Sequence, residues 1–409
     1  MTSMAKASLW AAALGTVSGL ACVGTRLMFR LLQFVFLQDS GPLPHAAALL
    51  SPTRRLTTPI AGALCALAVL WAVKRWSRGG PLVEYVEAVR FDQGKIPFAS
   101  TLWRTISSAF SVATGAAIGR EASMIQFAAA VTSWIGARSP LRGVPLSRQV
   151  AYGAAAAIAA AYQAPMAAVF FALEIVLGEW LWTEIPQLAC ASVAGWLVSR
   201  LILGTGPLFV VHGTVSLSIA ALWTLPLALL LGICGPVYQK LLRASHVASR
   251  LPLALLWSGL AVGLLTLSQT AVWGNGDVAL SNTLSGHEAM AGVLLLLGAR
   301  LVATTLCVGT GTVGGVFTPT LFFGAAIGLV TAQLFHSHSV ILFAIVGLST
   351  LLSAVTHAPF MATFMAVELT GRYHLLPWLL LLNLIAWLVA RRISRHSLYA
   401  IATPAPISS

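Results

Sequence analysis

The chain has 409 residues, of which 58% are hydrophobic and only 9% are charged. A water-soluble domain of that length cannot cover its surface with so few charges, which leaves a helical protein that crosses a membrane many times. The net charge of +13 does not call for nucleic acid, because the lysines and arginines fall in short loops and at helix ends, where they set membrane topology.

In chain order, residues 7 to 37 and 56 to 73 predict two helices, joined by a loop that carries Asp39, Pro42, Pro44, Arg54 and Arg55. The first apolar stretch lacks a small-residue cleavage pattern and reads as a retained helix. Lys74, Arg75 and Arg78 close the second helix and place that end in the cytoplasm. Gly79-Gly80-Pro81 then breaks the chain before a short amphipathic helix with Glu84 and Glu87. Gly94 and Pro97 separate this helix from the run that leads into Gly119-Arg120-Glu121-Ala122-Ser123. Arg138, Arg142 and Arg148 mark a second inner loop, before an alanine-rich stretch, 151 to 177, that contains Gln163-Ala164-Pro165 and Glu174. A further apolar segment ends near Arg200; residues 218 to 239 predict the next helix, and Lys240, Arg243 and Arg250 a third inner loop. Arg391, Arg392 and Arg395 put the C-terminus in the cytoplasm as well. Many of these apolar stretches fall short of the roughly 20 residues that span a bilayer, or are cut by Gly and Pro, so broken helices are expected.

Cys22, Cys65, Cys190, Cys234 and Cys307 stand singly, without Cys-x-x-Cys spacing, which indicates neither a disulfide framework nor a metal site. The chain has no Gly-Lys-Ser/Thr phosphate loop. Glu121 stands out. Ionisable groups at membrane depth are costly and functional by default. Gly119 permits a non-helical backbone, so that Glu121 falls in the first turn of the following helix, where free N–H groups and the helix dipole favour a carboxylate or an anion that replaces it. A plain helix-capping acid, or a partner for Arg120, is the other reading of these residues.

The chain also repeats itself. Tyr162-Gln163-Ala164-Pro165, with Glu174 nine positions past the proline, matches Thr356-His357-Ala358-Pro359 with Glu368 at the same distance. At nearly the same offset, Arg78-Gly79-Gly80-Pro81 corresponds to Trp273-Gly274-Asn275-Gly276, and the Glu121 motif to Gly315-Val316-Phe317-Thr318-Pro319. Duplicated halves of membrane transporters commonly have inverted topology, with a ligand site built where their interrupted helices meet. Several helix N-termini aimed at one place make a site for an anion. These residues therefore predict an anion pathway guarded by Glu121. An intramembrane enzyme fits poorly, because the repeat duplicates helix breaks rather than a nucleophile and its base.

Gly119-Arg120-Glu121 resembles the Gly-Lys/Arg-Glu-Gly-Pro signature of the ClC chloride channel and transporter family, and Gly315-Val316-Phe317-Thr318-Pro319 matches its Gly-x-Phe-x-Pro signature. Ser397-Leu398-Tyr399 resembles the place of the family's tyrosine, and Pro81-Leu82-Val83-Glu84-Tyr85 is most like the family's bacterial members. The resemblance implies an all-α polytopic fold of two inverted-topology repeats of broken, tilted helices: 1–200, and 201–409 with a C-terminal pore helix. The chain ends soon after Tyr399, so the paired cytoplasmic regulatory domains of many family members are expected to be absent, and no cofactor is expected. Glu121 would be the gate, a carboxylate standing in for chloride, with anion contacts from Gly79, Gly80, Gly119, Arg120, Gly315, Val316, Phe317 and Tyr399. Chloride or a similar small anion would pass through one pore per subunit of a homodimer in the bacterial inner membrane, among lipid, as an electrical shunt under acid stress.

Three departures matter. Ala122-Ser123 replaces the signature's Gly-Pro, serine being a good capping residue. Arg78 falls where the family's first motif has a chloride-contacting serine, which leaves the preferred anion open. Ile175 occupies the position of the inner proton glutamate of coupled exchangers, and cannot relay a proton. That points to a passive channel, with a chloride/proton antiporter as the alternative. Glu174, next to Ile175, faces elsewhere on a helix and reads as architectural, with Glu368 as its counterpart. His357 reads as a capping or packing residue, His336 and His338 as solvent-facing loop residues, and Glu179, Glu184 and Asp277 as ordinary interfacial acids.

Overall fold

A computed structural model describes residues 3–76, 83–138, 144–204, 206, 208, 209, 211, 215–217 and 219–401. Gly79 and Gly80, with Arg78, Pro81 and Arg142, lie outside the described residues. The first half comprises α1 (Ser3–Leu37), α2 (Leu43–Leu49), α3 (Pro52–Trp76), α4 (Tyr85–Phe91), α5 (Phe98–Ala113), α6 (Glu121–Arg138), α7 (Leu146–Tyr162), α8 (Pro165–Phe171) and α9 (Ile185–Leu203). The second comprises α10 (Thr224–Ser245), α11 (Ala254–Ser268), α12 (Asp277–Ser285), α13 (Met290–Gly309), α14 (Phe317–Leu334), α15 (Val340–Thr356), α16 (Pro359–Thr370) and α17 (Leu376–Ile393). Among the described residues seven helical stretches are long and apolar enough to cross a membrane, and the rest are shorter or less apolar.

The halves repeat one another in detail. α6 and α14 have 18 residues each, and α7 and α15 have 17 each. α7 ends at Gln163 with φ 58°, α15 at His357 with φ 59°, and the alanine after each returns the chain to an extended turn before a proline opens the next helix. Proline suits a first helical position because its missing N–H would have had no partner there. The breaks meet at the centre: Gly119 and Gly315, equivalent positions, form an antiparallel bridge, Gly119 N–H donating to Gly315 at 2.6 Å and Gly315 N–H to Gly119 at 2.8 Å. Equivalent residues that exchange hydrogen bonds antiparallel are related by a local two-fold, which is the signature of inverted repeats.

Small residues bring the helices together, as membrane packing requires. Glycines let α1 approach the backbone of α9 at Ala191 and Gly195, and α14 approach α15 where Gly324 meets Gly347. α7 and α15 are buried along nearly their whole length and form the centre.

Several sequence expectations are corrected. Arg54 and Arg55 belong to the first turns of α3, not to a loop, and α2 occupies the connection. Arg55 caps the end of α2, donating to the carbonyls of Ala47, Ala48 and Leu50. α10 continues to Ser245, so Lys240 and Arg243 lie on a helix rather than in a loop. Glu184 is buried rather than interfacial, paired with Arg148 and accepting from the Tyr152 hydroxyl.

Candidate functional site

Glu121 is the first residue of α6 and is 7% exposed. Its Oε1 accepts a 2.7 Å hydrogen bond from Asn275 Nδ2, in the break before α12. Arg120 Nε stands 3.8 Å from the same oxygen. Oε2 is buried with no partner among the described residues. The side chain folds back over Gly119, where an added Cβ would come within 2.6 Å of Oε2 and 2.9 Å of the Gly315 carbonyl. Glycine is needed here for close approach; its φ is not in the left-handed region.

A cavity of about 400 Å3 reaches Glu121 from one side. Its wall carries Ile118, Ile125, Ile158, Val316 and Phe317, with the rings of Tyr85, Tyr162 and Tyr399 among them. Exposed His246, in the turn after α10, marks where it meets solvent, near Glu84 and Arg104, which form a 2.8 Å ion pair. A second, smaller hollow on the far side of Glu121 is lined by Arg26, Arg120, Asn275 and Asp277. Glu121 lies in the wall of both. The first turns of α6 and α14, opened by Glu121 and Phe317, offer N–H groups that have no partner within their helices.

The structure brings Gly119, Glu121, Gly315, Val316, Phe317 and Tyr399 to one place, while Arg120 faces the smaller hollow. Phe317 packs on Tyr162 at 5.0 Å between ring centroids, and Tyr399 lies edge-on to Phe171 at 5.9 Å, against Tyr85. Ile175 is buried in a wide helical turn after α8 and lines neither cavity. Ser123 does not cap α6; its hydroxyl donates to Ser108 on α5 at 2.7 Å. Glu174 accepts from the N–H groups of Phe360 and Met361 at the start of α16, and Glu368 from those of Met166 and Ala167 at the start of α8.

Sequence reasoning missed Asn275 as the partner of Glu121, Tyr162 and Tyr85 as cavity walls, and Arg300. Arg300 is wholly buried and donates to the carbonyls of Ala271, Val272 and Gly274, holding the turn that presents Asn275. An arginine inside an apolar helix was the available signal, since such a charge must be paired.

A family model described as voltage gated chloride channel matches residues 61–391. The voltage-gated ClC-type chloride channel ClcB of Citrobacter koseri is 35% identical over 96% of this chain and 97% of the relative. That of Escherichia coli O9:H4 is 36% identical over the same shares. Among solved structures, a slow cyanobacterial Cl-/H+ antiporter superposes with a TM-score of 0.84 at 21% identity, covering 98% of this chain and 97% of the other. A CLC-type fluoride/proton antiporter gives 0.78 at 22%, covering 98% and 99%. At such identities the structures speak to the fold alone. The sequence match over most of the chain, with near full-length relatives, places this protein in the voltage-gated chloride channel (ClC) family, similar to its ClcB members.

Proposed function

We propose that the protein conducts chloride passively and that Glu121 is its gate. The observation that carries this reading is that one carboxylate stands between two cavities where the two repeats cross. Ionised, it fills the path as an anion would; protonated or displaced, it leaves helix N–H groups free for chloride. In this reading Gly119, Gly315, Val316 and Phe317 shape the central site, Gly79 and Gly80 supply backbone contacts, Arg120 faces the approach to the gate, and Tyr399 offers a hydroxyl donor. Ile175 supports conduction over exchange, because it offers no proton carrier at its position. The protein works as a homodimer with a pore in each subunit, in the bacterial inner membrane with its basic loops and C-terminus in the cytoplasm, and shunts charge under acid stress.

The test is chloride efflux from proteoliposomes, with external pH recorded while valinomycin clamps the voltage. Efflux without proton movement is the expected result. Protons driven uphill in fixed ratio to chloride would make the protein an antiporter.

A further inference from the structure

Asn275, the donor to Glu121, stands between two glycines in the left-handed region, Gly274 at φ 79° and Gly276 at φ 96°. Backbone of that kind has little preference of its own, so something outside the turn must fix where the amide points. Arg300 on α13 does so. Its Nη1 donates to the carbonyls of Ala271 and Val272 at 2.7 and 3.1 Å, and its Nη2 to that of Gly274 at 2.9 Å, one residue before Asn275. The guanidinium also fills the space beside Gly276, where an added Cβ would come within 2.7 Å of Nη2. Thr304, one turn along the same helix, donates to the carbonyl of Ala117 at 2.8 Å, two residues before Gly119. One helix thus grips both the stretch that leads to Glu121 and the turn that faces it.

Arg300 is wholly buried and forms no ion pair with a described carboxylate; Asp277, whose charge acts on it, lies instead 3.8 Å from Arg120. A buried charge without a counter-ion costs stability, and an apolar side chain of similar size would avoid that cost. Support of the turn as such does not account for it, because the turn is docked already. Trp273 is wholly buried, its ring 2.4 Å from where a Cβ on Gly115 would stand, and Gly274 N–H donates to the Gly115 carbonyl at 3.2 Å. Those contacts hold the start of the turn. Arg300 holds the part that carries Asn275, whose Oδ1 accepts from the Asp277 N–H at 3.2 Å and whose Nδ2 reaches Glu121 at 2.7 Å.

We propose that Arg300 is a positioning residue for the gate: it aims the Asn275 amide at the Glu121 carboxylate and so holds that carboxylate inward. Arg300 lines neither cavity beside Glu121 and acts through Asn275. With the aim lost, the carboxylate leaves the path more readily and chloride flux at neutral pH rises. The inference rests on the reading of Glu121 as the gate.

The test is chloride efflux at neutral pH from proteoliposomes holding the full-length protein. R300K is the main variant, since lysine keeps the charge but loses the fixed fork that spans three carbonyls. It is expected to raise flux about threefold, and R300Q about tenfold, the rise expected of N275A. Neither raises flux further in N275A or in E121Q, where the amide or the carboxylate is already gone. Damage to the fold lowers flux in every background, whereas lost positioning raises it only where Asn275 and Glu121 are both present. Should R300Q not fold, R300K and its combinations with N275A and E121Q carry the result. Wild-type flux in R300K, a further rise in R300K/N275A, or an equal loss in R300K and E121Q/R300K overturns the proposal. E121Q with the flux and pH dependence of the wild type would instead overturn the gate reading, and this inference with it.

Discussion

Glu121 is held by little for a buried carboxylate. One neutral amide donates to it, one guanidinium stands beyond hydrogen-bond distance, and one oxygen has no partner among the described residues. A hydrogen bond to a charged group contributes about 1.5–3 kcal/mol, so Asn275 supplies a large part of what keeps the side chain inward. Removing it with N275A should raise basal chloride flux at neutral pH by about tenfold, the ratio that about 1.4 kcal/mol gives. E121Q should conduct with much less dependence on pH, because the amide cannot ionise. Flux measured in proteoliposomes across the acid-to-neutral range checks both, and an unchanged pH profile in E121Q would remove Glu121 from the gate. The place of Glu121 at the head of a helix was legible from Gly119 and the apolar run that follows. Its partner was not, since Asn275 lies 154 positions away and only the fold brings them together. The reason for Gly119 was also misplaced: the site needs its missing Cβ rather than its conformational range.

At the scale of elements, α8 and α16 hold each other. Glu174 lies in the turn that continues α8 and binds two N–H groups at the head of α16; Glu368 lies on α16 and binds two at the head of α8. Each carboxylate satisfies donors that a helix leaves free, so this acid is structural and needs no role in proton movement. E368A leaves two N–H groups unpaired and should cost about 3 kcal/mol of stability. E174A should cost a similar amount, and the double variant less than their sum, because the first loss already loosens the packing that the second cap supports. Thermal unfolding of the four proteins in detergent reads this directly; a fully additive double variant would mean that the two caps act independently. The paired breaks were legible because Ala-Pro and a glutamate nine positions later recur. Helix ends were less so. Hydropathy marks where a helix leaves the apolar layer, and α10 runs beyond that point with Lys240 and Arg243 on it. Glu184 was misread for a related reason: its neighbours Arg148 and Tyr152 belong to α7, and a sequence window around Glu184 shows neither.

Taken as a whole, the molecule is two repeats bridged at Gly119 and Gly315, and everything near that crossing is shared between halves. Ile175 does not line the cavities that meet there. The residue is 2% exposed. Its carbonyl and that of Val176 accept from the Arg90 guanidinium, which reaches across from α4. A carboxylate introduced at 175 would therefore enter a dry position beside a cation, and a buried acid with such a neighbour stays ionised and paired rather than passing protons on. Coupled exchange needs more than an acid: it needs a wet route from solvent to that acid and onward to Glu121. I175E is accordingly expected to carry chloride without proton coupling, and I175E/R90Q, which frees the carboxylate, to unfold at a lower temperature because the new charge loses its partner. Recording external pH during voltage-clamped chloride efflux decides the matter. Uphill proton movement in I175E would show that one side chain, and no wider feature of the architecture, separates this protein from an exchanger.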